Sequence, residues 1–176
     1  WGLGEQLLER ALVGADLAEL FEWSRASGRL PLGTPGRIAF QSLARDVEAL
    51  VAESAELRRG QPLPAIEIDA EIAGTRLLGR IDELWWRGQV RTRFSRLSPA
   101  NELACWIRHL LLNWAAPDIH PRESHLVGQP GESQPTAIHL CFRRVDDAED
   151  HLAELVRIYW LGQIQPLPFF PRTSRR

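Results

Sequence analysis

Between residues 66 and 95 the apolar side chains recur at every second position rather than at helical spacing. Ile66, Ile68, Ala70 and Ile72 alternate with Glu67, Asp69 and Glu71, and Val90, Thr92 and Phe94 alternate with Arg91, Arg93 and Ser95. A period of two places one set on each face of a pleated strand, so this stretch has to form sheet with one wet side. Gly74 and Gly88 supply turns and Leu77 to Trp85 fills the interval, which predicts a three-stranded meander. The rest of the chain has to cover its apolar face.

The flanking segments read as the cover. Leu7, Leu8, Ala11 and Leu12, then Leu17, Leu20 and Phe21, predict helix over 3–26 with a break near Gly14 and Asp16 as a second N-cap. Gly28 to Gly36 reads as a loop. A longer helix runs from about Pro35 to Arg59, with Gly60 as its stop. Ser98 and Pro99 open a further helix to about Ala115, apolar on most sides and expected to lie across the sheet. Residues 116–135, rich in Pro, Gly and Ser, read as a loop, Ala137 to Phe142 as a fourth strand, and Asp146 or Asp147 as the cap of a last helix to about Gly162. The pattern is an α/β fold: a small mixed sheet flanked by helices, with residues 1–60 as a helical lead-in packed on a core of residues 61–176, all one domain.

Composition narrows the chemistry. The chain has 176 residues, enough for a core of its own, and its 21 basic residues are all Arg against 23 acids, a net charge of −2. That balance lacks the basic footprint of a free-standing DNA-binding domain, so nucleic-acid contact has to come from a local patch. The absence of Lys excludes a Walker-type phosphate loop and any Schiff-base lysine. There is no Met, and the tail 165–176 ends without a stop signal, so the chain reads as a fragment of a longer one. Cys105 and Cys141 lie in apolar runs and read as buried reduced thiols, and the five His show no zinc-type spacing. His109, on an apolar helix, reads as a packed imidazole. No serine sits in a nucleophile elbow. The run Leu103 to Ala116 is too short to span a bilayer and no signal peptide is visible, so the expected compartment is the cytosol, without membrane contact.

The segment LLGRIDELWWRGQVRTRFSR, residues 77–96, carries the most specific signal. Gly79, Ile81 and Asp82 resemble the first half of the metal-binding pattern of PD-(D/E)XK nucleases of the RecB-like branch: Gly-x-Ile-Asp, a turn, then a strand ending in Asp-Tyr-Lys. Phe94, Ser95 and Arg96 stand where that second half belongs, and no carboxylate occurs between Glu83 and Glu102. Such enzymes need converging carboxylate oxygens for Mg²⁺ and a lysine by the attacking water. An Arg stays protonated and cannot replace that lysine as a base. Glu67 matches the additional upstream acid, as does Glu71, so Asp82 and Glu67 read as a relic of the nuclease motif; the alternation of Glu67, Asp69 and Glu71 reads equally as the solvated side of a strand. Around the same hairpin Arg80, Arg87, Arg91, Arg93 and Arg96 could grip phosphates or pair with acids on neighbouring strands. Of Trp85 and Trp86 at most one can face the core, which leaves Trp86 as a stacking candidate.

A wider resemblance rests on PANELACWIRHLLLNWA after the third strand, the opening WGLGEQLLERAL, the loop RASGRLPLG and the late YWLGQIQPLPFFPRTS. In collinear order these resemble the C-terminal region of the RecC family, the gamma subunit of exodeoxyribonuclease V. The resemblance implies a restriction-endonuclease-like fold whose catalytic residues are lost and which holds no cofactor. It implies a place in double-strand-break repair, guiding or splitting duplex or forked DNA beside RecB and RecD subunits. Arg80, Trp86, Arg87, Arg91, Arg93 and Arg96 are then the candidate DNA contacts, and Leu167, Phe169 and Phe170 of the apolar tail the candidates for subunit docking. A tail packed on its own chain is the competing reading. Two other functions stay open: a divergent Mg²⁺-dependent nuclease using Asp82 with Glu67 or Glu71, and an interaction domain without DNA contact.

Overall fold

Ile72 and Thr75 face each other at the end of an antiparallel ladder, which leaves only Ala73 and Gly74 to make the turn. Both have positive φ, 49° and 72°, the left-handed pair that a two-residue hairpin needs to match strand twist. The hairpin comprises β1 (Ile66–Ile72) and β2 (Thr75–Ile81). It belongs to a computed structural model that describes residues 2–117, 119–129 and 136–168. Ile68, Ile72 and Ile81 are buried, and Glu67, Asp69 and Glu71 are exposed, as the period-two pattern requires.

The meander does not continue as predicted. Instead of running from Leu77 to Trp85, the second strand stops at Ile81, and Glu83 turns the backbone into the left-handed region at φ 56°. That turn ends the ladder. β3 (Leu84–Trp85) and β4 (Gly88–Arg93) pair in a second sheet, so the expected three strands are two hairpins in separate sheets. The second sheet has the order β3-β4-β5-β6, with β5 (Ser124–Gly128) and β6 (Ile138–Phe142). β5 lies inside the stretch predicted to be loop. All five of its residues are buried, so it carries no wet face and no alternation to read.

Among the described residues five helices complete an α/β architecture: α1 (Leu3–Leu12), α2 (Leu17–Ala26), α3 (Thr34–Ala55), α4 (Pro99–Ala115) and α5 (Ala148–Ile164). Asp16 caps α2, its Oδ2 accepting the Ala18 N–H at 3.1 Å. At α4 the Ser98 hydroxyl accepts the Asn101 N–H, and the Asn101 amide oxygen accepts the Ser98 N–H, a reciprocal capping box. α3 stops at Ala55 rather than Arg59, with Gly60 left-handed at φ 87° beyond it.

The chain divides into two compact units. One comprises Trp1–Glu56, Thr92–Leu97 and Val127–His139. Its core holds Leu7, Leu8, Leu20, Phe40, Val47 and Leu50, with the Phe21 and Phe40 rings edge to face at 5.1 Å. Glu5 of α1 accepts the Phe94 N–H at 3.0 Å, and the Ser54 and Thr92 hydroxyls share a buried hydrogen bond of 2.9 Å. The other unit comprises Leu57–Arg91, Ser98–Leu126 and Leu140–Arg176. There one face of α4 puts Leu112 and Ala116 against Ile68, Ile81 and Leu84, and Leu110 packs with Ile72 of the hairpin and Ala148, Leu152 and Val156 of α5.

Gly88 makes the tightest demand in this second unit. Its φ of 143° suits glycine, and a Cβ there would lie 2.2 Å from the Glu123 carbonyl oxygen. Gly74 also has positive φ, but nothing lies within 4 Å of its would-be Cβ. Gly88→Ala is therefore expected to cost about 1–3 kcal/mol and to exceed the loss from Gly74→Ala. Urea midpoints of the two variants at unchanged m-value measure the difference.

Candidate functional site

Asp82 and Glu83 stand between the two hairpins, and arginines meet both. Arg91 of β4 brings Nη1 to 3.8 Å from Asp82 Oδ1 and 3.3 Å from Glu83 Oε2. Arg58 donates from Nη2 to Glu83 Oε1 at 3.2 Å and to the Val90 carbonyl at 3.1 Å, and its guanidinium lies 4.5 Å above the Trp85 ring. Burial pulls the Arg58 pKa down, the Glu83 carboxylate opposes it, and the guanidinium stays charged. Asp82 itself keeps 53% of its side chain exposed. Glu67 pairs across the hairpin with Arg80 at 3.7 Å, and Arg76 grips Asp69 with two 2.8 Å hydrogen bonds that hold this carboxyl below the usual range. Among the described residues the only group of three metal-ligating side chains is Glu123, His125 and Cys141, and it includes none of Asp82, Glu67 and Glu71.

The candidate DNA contacts differ in availability. Arg91 keeps 18% of its side chain exposed and is held by two acids, and Arg93 lies 3.7 Å from Glu5. Arg80 is exposed beside Glu67, and Arg96 is exposed. Trp86 and Arg87 form the two-residue turn between β3 and β4. Trp86 is 57% exposed, with the Arg87 guanidinium 4.8 Å over its ring. A cation stacked on an open indole at a hairpin tip offers charge and a π face together.

Among the described residues the exposed apolar surface gathers on α5. Leu167 lies against α5, where a Cβ on Gly162 would come 3.1 Å from its Cδ1, and Phe169 and Phe170 lie outside the described residues. α5 buries Ala148, Leu152 and Val156 and then runs on with Ile158, Tyr159, Trp160, Leu161 and Ile164 all exposed. The Trp160 indole donates to the Thr75 hydroxyl at 2.7 Å, which anchors one edge of this face to the hairpin turn. Beside it a recess of about 460 Å³ opens between hairpin, α4 and α5, lined by Leu77, Leu78, Ile107, Leu111, Leu155 and Tyr159. A signal was present: four consecutive apolar residues, Ile158 to Leu161, cannot share one face of a helix.

Beneath these surfaces lies a buried polar network. His109 of α4 is fully buried, its Nε2 donating to the Arg143 carbonyl at 2.8 Å and its Nδ1 lying 3.0 Å from the Ser124 hydroxyl. The carbonyl can only accept, so Nε2 carries the proton and Nδ1 accepts from Ser124. Asn113 donates to the His109 and Arg122 carbonyls at 2.8 and 3.1 Å and accepts the Val145 N–H at 3.1 Å. Arg122 in turn donates to the Asn113 carbonyl near the end of α4. Burial holds the His109 pKa below its ordinary value, against the opposing pull of the Arg143 carbonyl and the Glu123 charge.

Comparison with known proteins gives this geometry a setting. The family model described as RecC C-terminal domain matches residues 1–176. The RecBCD enzyme subunit RecC of Escherichia coli K12 is 27% identical over 174 residues, which is 98% of this chain and 14% of that protein. The RecC subunit of Mycolicibacterium smegmatis is 30% identical over 179 residues, 99% of this chain and 16% of that protein. For the Mycobacterium tuberculosis H37Rv subunit the figures are 29% over 177 residues, with the same coverage. The chain thus spans 14–16% of the length of these relatives. None of its helices is long and apolar enough to cross a membrane, among the described residues.

The neutral imidazole makes stability depend on pH. With a depressed folded pKa, the unfolded chain takes up a proton that the folded chain refuses, so the contribution of His109 is complete above about pH 6.5 and is lost as pH falls below it. Urea unfolding midpoints measured from about pH 7.5 down to about pH 5 are expected to fall more steeply for the natural chain than for His109→Gln. Parallel slopes would count against the buried neutral imidazole.

Proposed function

The chain belongs to the RecC C-terminal domain family, and on that premise we propose that it is a non-catalytic module that guides DNA strands and docks partner subunits within a RecBCD-type helicase-nuclease. Its fold is read as restriction-endonuclease-like with the catalytic residues lost. The observation that carries this reading is the arginine pairing of the relic acids. Where a nuclease gathers carboxylates around Mg²⁺, Asp82 and Glu83 here face Arg91 and Arg58, and Glu67 faces Arg80. A divalent cation entering among guanidiniums meets like charge, and at about 4 Å and an effective dielectric near 20 each such repulsion is of order several kcal/mol.

The two halves of the function map to different features. Trp86 and Arg87 at the hairpin tip, with Arg80 on β2, supply a stacking ring and positive charge for DNA phosphates and bases. Arg91 and Arg93 are engaged by acids, Arg91 by Glu83 and Arg93 by Glu5. The exposed end of α5, with Tyr159 and Trp160 in edge contact at 5.5 Å, supplies the aromatic anchors typical of a protein interface. Its proposed occupants are the RecB or RecD subunits. Leu167 extends this apolar region along Gly162. ATP hydrolysis and strand cleavage belong to other parts of the complex.

Incubating the protein with linear duplex DNA and Mg²⁺ or Mn²⁺ tests the non-catalytic half. No cleavage attributable to this chain is expected; cleavage that vanishes in Asp82→Ala would overturn the reading in favour of a nuclease using Asp82 with Glu67 or Glu71. For the binding half, Arg80→Ala with Arg87→Ala is expected to weaken binding of forked DNA and to reduce its salt slope by about one per lost phosphate contact. Tyr159→Glu with Trp160→Glu is expected to reduce recovery of a partner subunit by about tenfold or more, since buried aromatic anchors are each worth about 2 kcal/mol. Unchanged recovery would remove α5 from the docking surface.

A further inference from the structure

Glu123, His125 and Cys141 take no part in the function proposed above, yet they converge. Glu123 immediately precedes β5 and His125 follows two residues on, so period two puts both side chains on the same side of the strand. Cys141 is on β6, the neighbour of β5 in the sheet. One ligand atom from each lies within 4.8 Å of the others, and His125 Nε2 is 3.8 Å from Glu123 Oε2. We propose that these three side chains form a binding site for a zinc-class divalent cation.

Three properties of the cluster support that choice. The first is geometric. Tetrahedral Zn²⁺ with bonds of about 2.0–2.3 Å sets its ligand atoms about 3.4–3.6 Å apart, so closing on an ion asks for shifts of about 1 Å. The second is the donor set. Sulfur, imidazole nitrogen and carboxylate oxygen together suit zinc and its spectroscopic substitute cobalt, whereas Mg²⁺ and Ca²⁺ take oxygen ligands only. A thiolate, a carboxylate and a neutral imidazole also sum to the two negative charges that balance the ion. The third is support. Ser124, between the two β5-side ligands, is held from the opposite side by His109, and the Glu123 carbonyl accepts the Gln89 N–H at 3.0 Å, so the backbone that presents Glu123 and His125 is fixed at two points.

His125 is buried, whereas Glu123 and Cys141 are exposed, so the ion enters from solvent, and ligation through Nε2 gives up the 3.4 Å contact of that nitrogen with the Arg87 carbonyl. Three protein ligands leave a fourth position for water or for a side chain of a bound subunit. Burial and the Glu123 charge raise the Cys141 thiol pKa, and Arg143 partly offsets this. Binding therefore exchanges the thiol proton, released to solvent, for the metal–sulfur bond.

Titrating the full-length protein with Co²⁺ tests the site without reference to DNA. A saturable thiolate-to-cobalt charge-transfer band is expected, bleached by added Zn²⁺, absent in Cys141→Ser and shifted to about tenfold or more weaker binding in the surface variant Glu123→Gln. Cys141 and Glu123 are both exposed, so circular dichroism of the two variants is expected to match the natural protein. Absence of the band from the natural protein, or its persistence in Cys141→Ser, overturns the proposal.

Discussion

The second unit depends on one buried imidazole. His109 stands inside α4 with nothing but protein around it, and its ring satisfies both nitrogens by bonding Ser124 on β5 and the carbonyl of Arg143 just past β6. A buried polar group without partners costs roughly 1–3 kcal/mol, so helix and strands have to meet at this place for the ring to be tolerated. Asn113, one turn on, repeats the arrangement with the Arg122 carbonyl and the Val145 N–H. Together they fix where β5 begins and where the chain departs toward α5. The Glu123–His125 pair and the start of α5 both inherit their positions from these bonds.

The acids around the hairpins are engaged by arginines of the same chain. Asp82 and Glu83 stand at a left-handed kink that breaks the strand, with the Arg91 guanidinium near both and that of Arg58 on Glu83. The Arg58–Glu83 pair, half sheltered and stacked on Trp85, is structural in consequence: it ties the segment after α3 to the second hairpin. That pairing supports the hairpin that carries the Trp86–Arg87 tip.

On the proposed function, polar recognition and apolar docking fall on different elements within the second unit. The tip between β3 and β4 carries charge and an open indole, while the last turns of α5 carry aliphatic and aromatic side chains beside a recess lined mostly by apolar groups, with Thr75 and Arg76 at the hairpin. A partner seated on α5 need not compete with DNA at the tip. Salt would weaken contacts at the tip and leave burial at α5 nearly untouched, because counterion release governs only the first.

The amino-acid order alone determined the features encoded within a few neighbouring residues. β1 followed from alternation and the turn after it from Gly74, the Asp16 and Ser98 caps from short polar side chains ahead of apolar runs, and α5 from the Asp146-Asp147 cap signal. The family resemblance was legible too, from segments spread along the whole chain. Tertiary structure decided the rest. β5 has both faces covered and so no period to read, the break at Glu83 is a backbone conformation that no local pattern announced, and Leu167, beyond the end of α5, lies against Gly162 of that helix. Whether an arginine such as Arg91 meets phosphate or carboxylate, and whether Cys141 meets His125, depends on which strands become neighbours. Strand pairing joins residues far apart in the chain through backbone hydrogen bonds common to every sequence, so its partners are fixed only by how the whole core packs.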